Sequence, residues 1–145
     1  MDCTKKEPYI SDTNGDPHEP LSLWLVPPRN NKIHAILADA IAHIVPSALA
    51  AEAPLPQFEP HVTLTSQIPL TTTRDDFQTW LDGIDLPPDT VVVEFQELAV
   101  GDAFHKKLFI RCEQSDSLLS LASACRKHSD IKISEGLYDP HVSLV

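Results

Sequence analysis

The 145 residues carry 21 acidic against 11 basic side chains, a formal net charge of −10, which excludes a protein that grips long RNA or DNA by its phosphates but leaves room for a small anionic substrate in a local pocket. The length suits one domain with a single core, and no stretch is long and apolar enough to span a bilayer or open a secretory signal. Cys3, Cys112 and Cys125 are odd in number and form no CxxC pair, so free thiols are expected in a soluble, cytoplasmic protein with neither a zinc site nor a disulfide framework.

Residues 1–19 are polar, contain Pro8, Gly15 and Pro17 and show no period; they are expected to be a flexible extension, with His18 solvated, ahead of a single domain over 20–145. Leu21 to Val26 alternates as a first strand, with Leu21, Leu23 and Leu25 on the core face. Trp24 lies on the other face, where it either packs against a helix or lines a cleft and stacks on a base or sugar. After Asn30 and Asn31, either of which can cap, Ile33, Ile36, Leu37, Ala40, Ile41 and Ile44 form a helical stripe. His34 and His43 fall off that stripe and read as surface residues, and Pro46 is expected to close or bend the helix.

A second helix is expected from a capping-box-like Thr73 and Asp76 through Phe77, Trp80, Leu81 and Ile84, with Gly83 at its end. Thr90 to Phe95 reads as a β-branched strand, Leu98 to Val100 as its continuation, Gly101-Asp102 as a turn, and Leu108 to Cys112 as another strand. His105 reads as a solvated loop residue beside Lys106 and Lys107. Ser115 or Ser117 can cap a third helix whose stripe is Leu118, Leu121, Ala122 and Cys125, which makes Cys125 a packing residue. Arg126, Lys127 and His128 suit its C-terminal dipole, and a short strand over Ile131–Ile133 is expected after it.

One five-residue phrase occurs twice: Pro60-His61-Val62-Thr63-Leu64 and Pro140-His141-Val142-Ser143-Leu144. On a strand, His61 and Thr63 share one face and Val62 and Leu64 the other; His141 and Ser143, with Val142 and Leu144, repeat the pattern. Each proline holds the preceding Glu59 or Asp139 extended. Side by side, the two strands would make a cleft with two imidazoles and two hydroxyls. Such a set suits reactions at phosphorus, where a base deprotonates the attacking water, an acid protonates the departing alkoxide, and fixed donors stabilise the non-bridging oxygens. No third ligand is spaced near either histidine, so no metal and no cofactor are expected.

The paired His61-Val62-Thr63 and His141-Val142-Ser143, with Phe58-Glu59-Pro60 and Leu23-Trp24-Leu25-Val26-Pro27, resemble the 2H phosphoesterase superfamily, most of all its fungal and plant cyclic phosphodiesterase branch. The resemblance covers about residues 21–145. It implies an α+β, bilobal fold, with two pseudo-twofold-related lobes, antiparallel sheets around a central groove and outer helices. It implies metal-independent hydrolysis of ADP-ribose 1″,2″-cyclic phosphate to ADP-ribose 1″-phosphate, a by-product step of tRNA splicing, and of nucleoside 2′,3′-cyclic phosphates to 2′-phosphates. His61 and His141 would be the acid–base pair, in either order, and Thr63 and Ser143 would bind phosphate; Trp24, from its place on the second face of the first strand, is the further candidate substrate contact. Members of that branch continue past the second motif, so a missing C-terminal part is expected of this chain. A monomer acting on a small cyclic-phosphate nucleotide is expected, without membrane or long nucleic-acid partners.

Three other readings compete: coincidental exposed histidines, a non-catalytic nucleotide-binding or RNA-processing module on the same fold, and a relative acting on RNA ends. Two flanked copies about eighty residues apart speak against coincidence. Retention of both histidines and both hydroxyls speaks against a pure binder, and the acidic balance against a groove that tracks several phosphates.

Overall fold

The computed structural model describes residues 21–50, 54–68, 74–88, 90–103, 106–128 and 138–145. Its strands are β1 (Leu21–Leu25), β2 (Val62–Ile68), β3 (Phe95–Val100), β4 (Leu108–Cys112) and β5 (His141–Ser143). Its α-helices are α1 (Lys32–Asp39), α2 (Val45–Ala48), α3 (Arg74–Asp82) and α4 (Asp116–His128). The expected extension over 1–19, the Thr73 cap, His105 and the strand over Ile131–Ile133 lie outside the described residues.

The α+β expectation holds, and the five strands form one antiparallel sheet in the order β1-β2-β5-β4-β3. The two halves of the chain therefore meet within a continuous sheet, with both motif strands at its centre. In each half a strand and a helix precede the motif strand: β1, α1 and β2 in the first, β4, α4 and β5 in the second. The order β1-β2-β5-β4 therefore repeats outward from the β2–β5 pair. The extra strand β3 hairpins onto β4, and a Cβ on Gly101 would stand 2.5 Å from the Lys106 carbonyl oxygen, a close approach that requires glycine.

The helices cover one face, and they cross over. The α4 stripe of Leu118, Leu121, Ala122 and Cys125 is buried against Leu64 of β2, together with Ile84. From the first half, Leu37 packs on Val62 and Val142, and Ile41 and Val45 pack with Leu144. Each motif strand is thus seated partly on the helix of the other half.

Local chemistry explains the element ends. Asn31, not Asn30, caps α1, its Oδ1 accepting from the Ile33 amide at 2.9 Å. Helical structure does not stop before Pro46: a π-helical turn over Ala40–Ile44 widens the backbone, and α2 carries Pro46 in its first turn, where no amide donor is needed. Ser115 caps α4 by accepting from the Leu118 amide at 3.3 Å.

One expected strand is shorter than its β-branched run implies. Residues 90–94 are not strand, and pairing begins at Phe95. Val91 and Val93 still pack into the core, but the backbone is partnered elsewhere. The Val92 carbonyl accepts from Ser115 Oγ at 3.1 Å, and the Val92 amide donates to Ser117 Oγ at 3.3 Å. The serines at the start of α4 thus take the place of a neighbouring strand.

Leu118 is fully buried at the centre of the α4 seat. Leu118→Ala is expected to cost about 2–5 kcal/mol of unfolding free energy in a urea titration. A loss below about 1 kcal/mol would show that α4 does not anchor β2 in this way.

Candidate active site

The site begins with two buried prolines. Pro60 and Pro140 are fully enclosed and deliver the chain extended into the motif strands. These pair antiparallel at Val62 and Val142, whose side chains are buried. The same register sets His61 level with Ser143 and Thr63 level with His141, so each imidazole neighbours the hydroxyl of the other motif.

Both imidazoles are held in the same way. His61 Nδ1 lies 2.6 Å from the Glu59 carbonyl oxygen, and His141 Nδ1 lies 2.9 Å from that of Asp139. A carbonyl can only accept, so Nδ1 carries the hydrogen in each ring and Nε2 is left as the acceptor of the neutral form. The His61 pKa is lowered, first by burial and then by the charge of His141, against the opposing effect of the Glu59 carbonyl.

Aromatic rings back both histidines. Trp24 stacks flat on His61, with centroids 3.7 Å apart and planes 10° from parallel, and Phe58 meets the same imidazole edge-on. Trp24 therefore shares a face with His61 and keeps part of its ring exposed. Phe109 meets His141 edge-on at 5.4 Å. Trp24 stands opposite Thr63 on β1, and Phe109 opposite Ser143 on β4, so the two rings are counterparts. Phe109 escaped the reading of the sequence, although Leu108-Phe109-Ile110 repeats the aliphatic–aromatic–aliphatic pattern of Leu23-Trp24-Leu25.

Carboxylates and cations surround the pair. Glu59 accepts from Arg29 Nε at 3.2 Å and faces His34 Nε2 at 2.9 Å. Lys106 Nζ donates to Asp139 at 2.5 Å, and Arg111 Nε lies 3.4 Å from its other oxygen. The expectation that His34 is a surface residue is therefore corrected: its side chain is largely covered, because the groove between α1 and residue 59 offers it a carboxylate. His43 does lie on the surface, paired with Asp39 one turn away. Two side chains complete the strand ends, where Pro140 brings no amide to the ladder. Tyr138 Oη donates to the Thr63 carbonyl at 2.8 Å, and Arg126 Nε to that of Leu64 at 3.1 Å. Burial pushes the Tyr138 hydroxyl up to about 12.

Cys112 and Cys125 lie on the packed side of the sheet and helix α4, in the core clusters. Cys112 and Cys125 are buried, neither forms a disulfide, and burial first of all raises both thiols to about 11. Among the described residues no three His, Cys, Asp or Glu side chains converge as a metal site, and no helix is long and apolar enough to cross a membrane.

Two imidazoles and two hydroxyls in one crossed array match the requirements for opening a phosphodiester. A model of the cyclic phosphodiesterase-like protein family matches residues 20–145. The chain belongs to that family. Three relatives bear the name 2′,3′-cyclic-nucleotide 3′-phosphodiesterase. The protein of Phaeosphaeria nodorum is 34% identical over 133 residues, covering 86% of this chain and 67% of its own length. That of Neurospora crassa is 31% identical over 146 residues, covering 86% and 69%. That of Yarrowia lipolytica is 36% identical over 109 residues, covering 73% and 49%. Family membership makes the chain a hydrolase of the cyclic phosphodiesterase class within the 2H phosphoesterases.

A lowered His61 pKa has a consequence for stability. The unfolded chain binds the proton more readily, so this contribution is complete above the ordinary value of 6.5 and is lost as pH falls from there through the lower folded value. Thermal unfolding between about pH 8 and about pH 5 is expected to show that decline, with a shallower slope in His61→Ala. Equal slopes would remove His61 as its source.

Proposed function

We propose that this member of the family hydrolyses nucleoside 2′,3′-cyclic phosphates to 2′-phosphates and ADP-ribose 1″,2″-cyclic phosphate to ADP-ribose 1″-phosphate. The observation that carries the reading is the matched pair of imidazoles, each with Nδ1–H bonded to the backbone and set beside the other motif's hydroxyl. The names of the three relatives support the nucleoside substrates.

In the reaction one neutral imidazole takes a proton from water through Nε2 as the water oxygen bonds to phosphorus. The other, protonated, gives its Nε2 proton to the leaving oxygen, 3′ in the nucleoside and 2″ in the ADP-ribose substrate, as that bond to phosphorus breaks. The pair ends with its protons exchanged, and solvent restores the starting state. This cycle needs one neutral and one charged ring. The repulsion by which His141 lowers the His61 pKa disfavours double protonation and so favours the mixed state. Thr63 and Ser143 donate to the non-bridging oxygens as their charge grows. Trp24, 41% exposed beside His61, offers the aromatic surface for a base or sugar. The whole of residues 20–145 serves as one domain in this scheme.

Phosphorus NMR on adenosine 2′,3′-cyclic phosphate and ADP-ribose 1″,2″-cyclic phosphate, with EDTA present, tests the reading. Conversion of each to a single monoester is expected. His61→Ala and His141→Ala are each expected to lose at least about a hundredfold in turnover, and Thr63→Ala or Ser143→Ala on the order of tenfold, about one hydrogen bond to charge. Parent activity in both histidine variants would sink the mechanism.

A further inference from the structure

The histidines are oriented by two carbonyls, and those carbonyls are themselves secured. They belong to Glu59 and Asp139, the residues just before the motif prolines. A following proline restricts ψ to the extended region, which leaves φ and the position of Cα as the freedoms that move the carbonyl. In both residues the side chain is tethered to a different element. Glu59 is gripped by Arg29 of the β1–α1 connection and by His34 of α1. Asp139 is gripped by Lys106, which leads into β4, and by Arg111 of β4, which stands opposite His141 in the sheet.

The device occurs twice with different chemistry: an arginine and a histidine at one site, a lysine and an arginine at the other. It also reaches different parts of the fold. An incidental surface ion pair has no reason to recur at the same position relative to each histidine. The charge state of each carboxylate reflects its grip. Lys106 foremost holds the Asp139 carboxyl below its usual range. Burial pushes Glu59 up, but the hydrogen bonds from His34 and Arg29 outweigh it and the net shift is downward.

We propose that Glu59 and Asp139 are positioning residues, whose cation-held carboxylates fix the backbone carbonyls that select the Nδ1–H tautomer of His61 and His141. This rests on the acid–base roles given to the two histidines above. Because the carboxylates themselves do not bond to the imidazoles, their loss should disturb proton transfer without removing a substrate contact.

The decisive experiment reads tautomers and kinetics separately. Nitrogen-15 correlation spectra of the histidine side chains in the free protein are expected to show Nδ1–H for His61 and His141. In Asp139→Ala the His141 ring, and in Glu59→Ala the His61 ring, should lose that single tautomer. With adenosine 2′,3′-cyclic phosphate, kcat should fall about ten- to a hundredfold while KM changes by less than about twofold. Asp139→Asn, which still accepts from Lys106, should recover part of both signals. His43→Ala, on the outer surface, should change neither. If Asp139→Ala does not fold, Lys106→Met removes the shorter of the two tethers from the cation side, leaves Arg111, and is read in the same way. Unchanged tautomers in the alanine variants, with a drop in Tm alone, would reduce both groups to ordinary ion pairs. Because the spectra need no turnover, they decide the positioning role even if cyclic phosphates prove not to be the substrates.

Discussion

The pairing of β2 with β5 is the constraint from which the rest of the site follows. Val62 and Val142 meet at the centre of the sheet and are buried, as are Leu64 and Leu144 beside them. Burial of such side chains stabilises by about 1.5–3 kcal/mol each. The residues between them, with period two, are the histidines and hydroxyls. Core and site are therefore two faces of the same short strands. A slip of one residue by either strand would drive its imidazole into the core and expose its valine and leucine, so the register is enforced by hydrophobic burial. The crossed seating of the helices adds to this, since Leu64 of β2 packs on α4 and Val142 of β5 on Leu37 of α1.

The period-two rule also has a limit in this sheet, and it falls just beyond the first motif. Leu23 stands opposite Thr65 and Trp24 opposite Thr63, so β2 carries an extra residue between them. The irregularity turns Thr65 inward, and it is the buried polar residue of the core. A bulge next to His61 and Thr63 lets the strand twist away once the site residues have been presented. Tyr138 and Arg126 then take up β2 carbonyls that β5, ending at a proline on that side, does not reach.

Much of this was legible in the chain because it rests on local rules. The repeated phrase gave both motif strands, their faces and the four polar residues between them. The helical stripes gave the buried face of α4 residue by residue. What escaped depends on tertiary partners. Val91 and Val93 carry strong β propensity, yet propensity cannot show that Ser115 and Ser117 would take the backbone that a strand neighbour usually takes. His34 lies off the apolar stripe, and periodicity alone does not distinguish a side chain in water from one that finds Glu59. The continuous sheet joining both halves follows from long-range pairing that no local window contains. Phe109 is different: its signal was present in the internal repeat, and a comparison of the segments before the two motifs, rather than of the motifs alone, would have brought it out.

The charge of the chain and the charge of the site pull in opposite directions, and the distances decide which governs. A net charge of −10 spread over the whole chain is screened beyond about 8 Å at physiological ionic strength. A polyanion that must lie along the surface meets that field over its whole length. The cyclic phosphate group itself carries one negative charge and meets chiefly what lies within a few ångströms of the two imidazoles. There, Arg29 is paired with Glu59, Lys106 with Asp139, and Arg111 with both Glu97 and Asp139, so little fixed positive charge is left unbalanced. On the proposed mechanism the compensating charge is supplied by the one protonated imidazole, and it is delivered to the leaving oxygen as the bond breaks. A site neutralised in advance by its own carboxylates would then hold its monoester product, which carries more charge than the substrate, less tightly than a lysine- or arginine-lined pocket would. That arrangement favours release after ring opening over retention, and it follows from the same acidic residues that orient the histidines.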